Sequence, residues 1–308
     1  MSGDILHLLP ELAQRAKRLA IQEGMTTTAL ECLQLFRSDR PTEITHSIYE
    51  PSACIIAQGQ KQARLGEEVY SYNPSSYLVA AVDLPVRGQV IEATAEQPYL
   101  CIRVALKPQK IREMLLENRH LVRAPVDKTP QRGLFVSHAN YELLDAVLRL
   151  MRLLDAPNDL PVLAPLVERE ILYRLLLDEQ SIILQQTAQT DSHAQQIARV
   201  INALKRDYHK NWRIEELAQL ACMSNSALHA HFKSITNMTP LQYLKQMRLQ
   251  EARRLLFSEN LDAATASHRV GYESPSQFNR EYQRLFGLPP VRDLVRIRNT
   301  AFPMINTN

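Results

Sequence analysis

The sequence predicts an α+β protein of two domains, an N-terminal cupin-like β-barrel with helices and a C-terminal all-α domain of two helix-turn-helix motifs. Three observations predict this fold class: short strand patterns between about residues 42 and 106, helical periodicity from about residue 107 onward, and an internal repeat near the C-terminus. A chain of 308 residues is long enough to form two hydrophobic cores.

The strand region combines short apolar or alternating runs with turn-forming residues. The runs are TEITHSIYEPSACIIAQ, KQARLGEEVYSY and SYLVAAV, and they are separated by Gly59, Gly66, Asn73-Pro74 and Gly88. Such spacing is typical of an antiparallel barrel or sandwich. The preceding MSGDILHLLPELAQRAKRLA is interrupted by charges, so we expect an amphipathic helix there and not a secretory signal.

The helical region begins at about residue 107 and includes ANYELLDAVLRLMRLLD and PVLAPLVEREILYRLLLDEQSIILQQ. An apolar stripe runs along the first of these, which indicates either core or a dimer seam. A homodimer is therefore predicted to form, if at all, through helices 140–155 or 161–186. The domain 1–188 is followed by a polar linker at 189–196, by a helical domain at 197–300 and by a tail at 301–308.

The internal repeat has a period of 50 residues. SNSALHAHFKSITNMTP, at 224–240, aligns with SPSQFNREYQRLFGLPP, at 274–290. Each copy contains a short helix, a turn and a second helix that begins at a serine, and Ser224 and Ser274 are the predicted helix caps. Helical spacing places Leu228, Phe232 and Ile235 on the buried face of the first copy, and it places Phe278, Tyr282 and Leu285 on that of the second.

The opposite faces carry polar side chains suited to base edges, because arginine can bond guanine and asparagine can bond adenine in the major groove. The DNA-contacting residues predicted on these faces are Ser226, His229, Ala230, Lys233, Ser276, Asn279, Arg280 and Gln283. Residues 197–300 contain 16 Lys and Arg against nine Asp and Glu, so this region is basic while the rest of the chain is slightly acidic. That asymmetry favours a nucleic-acid-binding module over a merely solvated helical surface.

At these residues the chain resembles the DNA-binding domain of AraC/XylS-type bacterial transcription regulators. The resemblance is carried by A-x-x-x-x-M-S-x-S-x-L with F-K and T-P, and by G-Y-x-S-x-S-x-F-x-R with F-G-x-x-P, over roughly residues 197–297. The segments EPSACIIAQGQKQARLGEEVYSYNPSSYLVAAVDLPV and APLVEREILYRLL are similar to the N-terminal sensing region of one AraC subgroup. The chain departs from the family pattern at Ala230, where arginine is frequent, and at Asp293, where tyrosine is usual.

The resemblance implies seven helices that place two recognition helices in successive major grooves of promoter DNA, and it adds Gln277 to the predicted DNA-contacting residues. It also implies a sensing and dimerisation role for residues 1–188 and a contact with RNA polymerase. We therefore expect a cytoplasmic transcription regulator that responds to a small-molecule or stress signal. The alternative is an effector-independent architectural DNA-binding protein whose N-terminal domain only dimerises.

Enzyme chemistry is not predicted. The eight glycines form no phosphate-binding loop, and HExxH, GxSxG and clustered carboxylates are absent from the sequence. His46 is the only histidine between residues 8 and 119, so the barrel lacks a two-histidine metal set. No metal, no cofactor and no membrane span are expected.

The barrel region offers two further candidate sites. A mostly apolar ligand pocket is predicted from Ile55, Tyr70, Tyr72, Tyr77 and Val79, although the same residues would also suit a filled core. Cys54 and Cys101 lie in predicted strands and are candidate redox-sensing thiols, while the wide spacing of the four cysteines suits a reducing compartment.

Overall fold

Two antiparallel sheets form the body of the N-terminal part of the chain in the computed structural model, which describes residues 5–122, 131–190 and 192–301. The strands are β1 (Gly24–Thr27), β2 (Leu33–Ser38), β3 (Thr45–Tyr49), β4 (Ser52–Gln58), β5 (Gln60–Leu65), β6 (Glu68–Tyr72), β7 (Ser76–Ala80), β8 (Leu84–Glu92), β9 (Tyr99–Ala105) and β10 (Leu134–His138). One sheet has the order β1-β2-β9-β4-β7-β10, and the other has the order β3-β8-β5-β6. The two sheets face each other, because the Lys61 side chain of β5 lies over the rings of Phe36 in β2 and Tyr99 in β9. We call this two-sheet structure the barrel.

The barrel confirms the predicted strand region but is larger than predicted. Strands β1 and β2 precede residue 42, and β10 lies within the part of the chain predicted to be helical. β10 pairs antiparallel with β7, with Leu134 opposite Ala80 and His138 opposite Ser76. A five-residue strand gives too short a pattern to distinguish from a helical turn, since its identity depends on the distant partner strand.

Five helices accompany the barrel: α1 (Leu9–Leu19), α2 (Pro108–Glu117), α3 (Tyr141–Arg152), α4 (Leu160–Leu176) and α5 (Ile182–Ala188). The apolar stripe of α3 is core, because Leu143, Leu144, Val147, Leu150 and Met151 are all buried. Glu11 of α1 accepts hydrogen bonds from Arg152 and Arg15, which lowers the pKa of its carboxyl group to about 2. The segment predicted as one helix over 161–186 is broken near Asp178, whose carboxylate accepts from the Tyr77 hydroxyl at 3.0 Å and from Ser137.

Seven helices form the C-terminal part, between residues 193 and 301: α6 (His193–Arg206), α7 (Ile214–Ala221), α8 (Asn225–Thr236), α9 (Pro240–Ser258), α10 (Ala263–Arg269), α11 (Pro275–Phe286) and α12 (Pro290–Ala301). α6 begins inside the predicted linker 189–196, of which Asp191 lies outside the described residues, as do residues 302–308 of the predicted tail. By their contacts the residues form two units, Met1–Ala198 with His231–Asn237, and Arg199–Ala230 with Met238–Asn308.

The 50-residue repeat is present in the structure. α8 and α11 each have 12 residues and begin 50 positions apart, and α9 and α12 both begin at the prolines of the repeat. In the second copy the buried residues of α10 and α11 pack against those of α9 in one hydrophobic cluster. The sequence repeat therefore corresponds to two successive helix-turn-helix units.

Candidate nucleic-acid interface and barrel interior

Helix α11 begins and ends where its residue types predict. The Ser274 hydroxyl accepts from the backbone N–H of Gln277 at 3.4 Å, Pro275 occupies the first helical position, and Gly287 ends the helix with a φ of 81°. Its inner face carries Phe278, Tyr282 and Phe286, all buried, with Leu285 only partly buried. The helix is thus held by three aromatic residues on one face.

An ionic network, which the sequence signalled only as a departure from a family pattern, secures this face. The buried Asp293 carboxylate accepts from Arg253 Nε at 2.8 Å and from the Tyr282 hydroxyl at 2.9 Å. Arg296 of the same helix adds a third donor at 3.1 Å. Since Arg253, Tyr282 and Asp293 belong to α9, α11 and α12, the network ties three helices together.

The outer face of α11 presents polar side chains to solvent. Ser276, Asn279, Arg280 and Gln283 are exposed. Gln277 is also exposed, but its side chain donates to Glu281, which in turn pairs with Lys245 at 2.9 Å. Within the described ranges, Arg280 forms no ion pair or hydrogen bond through its guanidinium group, whereas Arg253, Arg254 and Arg269 all pair with carboxylates.

Helix α8 repeats this arrangement with different side chains. The Ser224 hydroxyl accepts from Ala227 N–H at 3.2 Å, and Leu228, Phe232 and Ile235 are buried as predicted. The outer positions Ser226, Ala230 and Lys233 are exposed, and His229 is half-buried. These four positions lie on one continuous helix, Asn225–Thr236.

The turns of the two helix-turn-helix units take a positive φ at different positions, two residues before Ser224 in the first unit and three residues before Ser274 in the second. Each turn has a residue with positive φ, Cys222 at 54° in the first and Gly271 at 87° in the second. A Cβ atom on Gly271 would lie 2.3 Å from the backbone oxygen of His209, so no other residue fits there without movement of the chain. Exposed Cys222, in contrast, accommodates its side chain in solvent.

The inner face of the barrel is identified by strand pairing. Cys54 lies opposite Leu78 of β7 and Arg103 of β9, and Cys101 lies two positions before Arg103, so these side chains share one face. Tyr72 of the opposite sheet lies near the same group, because its pKa is raised first by burial and then by neighbours that include Cys54 and Cys101. The interior of the barrel therefore contains both predicted thiols.

The five predicted pocket residues do not come together. Ile55 pairs with Tyr77, Ala53 pairs with Val79, and the Tyr77 hydroxyl bonds Asp178 in the helical part, so these side chains lie on the outer, helix-covered face. Tyr72 faces the interior, and Tyr70 faces the same way but bonds Glu68 at 2.7 Å. The structure therefore divides the five residues between the helix-covered face and the interior face of the barrel, and a ligand pocket formed by them stays a prediction.

Lys61 is the interior residue that sequence reasoning missed. Its ammonium nitrogen lies 4.9 Å from the ring centre of Phe36, 5.5 Å from that of Tyr49 and 5.9 Å from that of Tyr99. Burial lowers the pKa of Lys61, but the charge interaction and hydrogen bond with Tyr49 and the charges of Cys101 and Cys54 outweigh burial, so the pKa is raised. A lysine in an alternating strand usually points to solvent, so only the three-dimensional pairing reveals its position.

The two thiols interact directly. The pKa of Cys54 is lowered, chiefly by a hydrogen bond from Cys101 and, against the opposing effect of burial, by the charges of Lys61 and Arg103. The pKa of Cys101 is raised by the same hydrogen bond and by burial. If one of the pair ionises, Cys54 carries the negative charge.

The clefts formed by the described residues include two that lie outside the barrel interior. One, of about 270 Å³, lies between β9, α2 and α4, and its lining includes Leu106, Met114, Leu172 and the ion pair of Lys110 with Glu168. The other, of about 380 Å³, lies among α9, α11 and the turn before α11 and has a mixed polar lining.

Among the residues that the structure describes, no group of three His, Cys, Asp or Glu could hold a metal ion, and no helix has the length and apolar character needed to cross a bilayer.

Comparison with known proteins gives two family matches. The N-terminus of AraC-type transcriptional regulators matches residues 29–182, and a helix-turn-helix domain matches residues 217–293. The chain is 35% identical over 95 residues to the transcriptional regulator AlkR of Acinetobacter baylyi, covering 31% of either chain. It is 30% identical over 134 residues to RclR of Escherichia coli, an activator named as specific for RCS, covering 44% of this chain and 41% of that one. These alignments span less than half of the relatives' length.

Among solved structures the chain is similar to ToxT of Vibrio cholerae. The structure of ToxT bound to (E)-4-(8-methylnaphthalen-1-yl)but-3-enoic acid matches with a TM-score of 0.56 and 12% identity, covering 89% of this chain and 99% of ToxT. A second ToxT structure, with a bound unsaturated fatty acid, matches with a TM-score of 0.53. At this identity the likeness shows a common fold.

Proposed function

Because the chain belongs to the AraC family of DNA-binding transcription regulators, we propose that it reads promoter sequence with α11 and that a small molecule held in the barrel controls this binding. The observation that carries the proposal is the outer face of α11. Asn279, Arg280 and Gln283 are exposed there, on a helix whose other face is fixed by buried aromatic residues.

The chemistry of that face fits the major groove. An unpaired guanidinium group can donate two hydrogen bonds to O6 and N7 of guanine, and a carboxamide can bond N6 and N7 of adenine. Arg280 has no competing carboxylate among the described residues, so it need not break an ion pair before it binds DNA. Such side chains supply base discrimination, while the net positive charge of residues 197–300 supplies affinity for phosphate.

The signal is proposed to enter the barrel, where the inner face carries a charged lysine, two thiols and several aromatic rings. The ToxT structures named above contain organic acids, and a comparable class of ligand would suit a cationic interior. A modification of the thiols is the second form of signal that the interior supports. A peroxide would oxidise the Cys54 thiolate to a sulfenic acid and would itself be reduced to an alcohol or to water. The Cys101 thiol would then attack the sulfenic sulfur, forming the disulfide bond and releasing the sulfenic oxygen as water.

The thiol proposal is tested with Cys54→Ser and Cys101→Ser. If a peroxide or hypohalous acid changes DNA binding by the parent protein, both variants should lose that response while retaining DNA binding in reducing buffer. A response that persists in both variants removes these thiols from the signalling mechanism.

Partners other than DNA are proposed from the family and from the surface. Contact with RNA polymerase follows from family membership. For a homodimer, the stripe of α3 is buried within the chain, which leaves α4, where Val162, Leu163 and Leu166 are exposed by 67, 41 and 61%. A dimer in solution that Leu166→Glu converts to monomer would support this surface.

The proposed function is tested by selecting bound fragments from a random duplex library with the full chain, with and without candidate effectors. An enriched sequence motif, bound at least about a hundredfold more tightly than a scrambled duplex at fixed salt, is expected. Binding that shows no sequence preference would instead support the architectural alternative. Preference that never depends on an effector would remove the sensing part of the proposal.

A further inference from the structure

The cleft of about 270 Å³ between the end of β9, α2 and α4 lies outside the barrel interior and belongs to neither recognition helix. Its lining positions on the two helices are three or four residues apart, and they include Lys110, Glu113 and Met114 on α2 and Pro165, Glu168, Arg169 and Leu172 on α4. Each helix therefore turns one continuous face toward the cleft. An apolar cavity of about 150 Å³ is large enough to hold benzene, so this cleft has room for a small organic molecule.

The buried part of the lining is apolar. Leu106, which follows β9, Met114 of α2, and Ile171 and Leu172 of α4 are all buried. The charged side chains of the lining are at least partly exposed, and Leu166 lies exposed beside them. The cleft thus combines a hydrocarbon floor with a charged mouth, which is the usual composition of a small-molecule site.

Glu168 is the charged group that lies deepest in this lining. Its side chain is 15% exposed, and its carboxylate accepts from Lys110 Nζ at 2.6 Å, whereas the Lys110 side chain is 43% exposed. Burial raises the pKa of the Cys32 thiol to about 11, and the charge of Glu168 adds to this increase, so the carboxylate lies close to a buried thiol. The negative charge is therefore fixed inside the cleft, while the ammonium group that neutralises it is on a side chain that solvent reaches.

The remaining charges at the mouth leave one carboxylate without a counter-ion. Lys107 pairs with Glu31, and Arg169 pairs with Glu117, so both of these cations are neutralised from outside the lining. The exposed Glu113 carboxylate forms no ion pair or hydrogen bond with any residue that the structure describes. The cleft therefore has an excess of negative charge beside its apolar floor.

We propose that this cleft binds an organic monocation with a hydrocarbon body, such as an alkylammonium or arylalkylammonium ion. The ammonium group of the ligand replaces that of Lys110 beside Glu168, and Glu113 adds a second attractive charge. The hydrocarbon body packs against Leu106 and Leu172. Release of Lys110 to water costs little, because an ion pair with an exposed member contributes little to stability. An organic anion would meet an uncompensated carboxylate, and a neutral molecule would gain the apolar contact alone.

The test is titration calorimetry on the full chain without DNA, in a buffer free of amines. The probes are benzylammonium and the straight-chain ammonium ions from butylammonium to octylammonium. Alcohols and carboxylates of the same chain lengths are the neutral and anionic counterparts, and methylammonium is a cation without a hydrocarbon body. At least one ammonium probe is expected to bind saturably, at least about tenfold more tightly than its alcohol, its carboxylate or methylammonium.

Two variants should change this binding in opposite directions. Glu168→Gln should weaken it at least about tenfold, because it removes the fixed charge. Lys110→Met should strengthen it at least about threefold, because the ligand no longer competes with a lysine for that carboxylate. A merely structural role of the ion pair predicts that both changes weaken binding. Glu170→Gln is the matched control and should leave binding unchanged, since Glu170 lies on the same helix but outside the lining and pairs with Arg149.

The outcomes decide the proposal without reference to DNA recognition, because neither the probes nor the variants involve the C-terminal helices. Equal binding of ammonium, alcohol and carboxylate probes would overturn it, as would the absence of binding by every ammonium probe. Weaker binding in Lys110→Met would also overturn it, and this variant decides alone if Glu168→Gln does not fold. A dimer in solution that prevents every ammonium probe from binding would assign the cleft to a second copy of the chain instead.

Discussion

The two helix-turn-helix units share a backbone plan but present different side chains. α8 and α11 have equal length and serine caps at equivalent positions, yet Ala230 of α8 corresponds to Arg280 of α11, and His229 corresponds to Asn279. The outer face of α11 can therefore donate and accept in a base-specific pattern, while α8 offers chiefly one lysine and a half-buried histidine. The repeat therefore preserves the backbone arrangement of the two units, and we expect sequence specificity to reside in its second copy.

The largest expected effect follows from removing the core of either frame. Phe278→Ala deletes a fully buried ring that contacts Tyr272 and Tyr282, so it should lower the free energy of unfolding by about 3 to 5 kcal/mol. Phe232→Ala removes the fully buried phenylalanine of α8, at the position that aligns with Tyr282, and should lower the free energy of unfolding by a similar amount. Chemical denaturation of both variants measures the free energy of unfolding. A decrease of less than about 1 kcal/mol in either variant would contradict the idea that buried aromatic residues hold both helices in the same way.

The turns should respond unequally. Gly271→Ala introduces a Cβ atom into the His209 carbonyl at positive φ and should cost at least about 2 kcal/mol of stability. Cys222→Gly relieves a non-glycine residue of its left-handed conformation and should be neutral or stabilising by up to about 1 kcal/mol. Thermal melts of both variants provide the comparison. Equal destabilisation by the two substitutions would show that the conformation of the turns does not depend on Gly271 more than on Cys222.

DNA discrimination should depend on α11 more than on α8. Arg280→Ala should leave the melting temperature unchanged, weaken binding to the selected site by about 1 to 3 kcal/mol and reduce discrimination at one or two base pairs. The measurement is fluorescence anisotropy with the selected and scrambled duplexes at fixed salt. His229→Ala is the matched change in α8 and should affect both duplexes by less than about 1 kcal/mol. If the folded Arg280→Ala protein discriminates fully between the two duplexes, sequence specificity must come from α8 or from DNA shape.

Much of the helical domain could be predicted from the sequence because the repeat reports the same structure twice. The spacing of Leu228 and Phe232, and of Phe278 and Tyr282, correctly assigned the buried faces of both helices. The prediction is less accurate at the end of α11, because Phe286 is buried there and Leu285, which the spacing places in the core, is only partly buried. Asp293 could not be assigned a structural role, because its partners lie on α9 and α11, 40 and 11 residues away.

The barrel interior was harder to predict because β4 and β7 are covered on both faces. All five residues of β7 are buried, so alternation of polar and apolar residues does not show which side faces the interior. The sequence groups Ile55, Tyr77 and Val79 with Tyr72 only because all are aromatic or aliphatic. Strand pairing and the hydrogen bond of Tyr77 to Asp178 place the first three on the opposite face. The position of Lys61 could not be predicted, because a charged residue on a strand normally lies on the side that faces solvent.

The smallest expected difference concerns the helix caps, and it tests whether the two copies are equivalent in detail. Ser224→Ala and Ser274→Ala each remove a hydroxyl that accepts a backbone N–H, at 3.2 and 3.4 Å respectively, so each should cost about 1 kcal/mol of stability. Ser224→Ala should cost more, because its bond is shorter and α8 begins with Asn225, whereas Pro275 preorganises the first turn of α11. Chemical denaturation of both variants is the measurement, with Ser258→Ala, at the end of α9, as the control for loss of a serine hydroxyl. Neither cap variant should alter discrimination between selected and scrambled duplexes, since the hydroxyls position the helices without reaching base edges. If Ser274→Ala abolishes discrimination in a folded protein, the start of α11 contacts DNA directly, and the reading surface extends beyond Asn279, Arg280 and Gln283 to the cap itself.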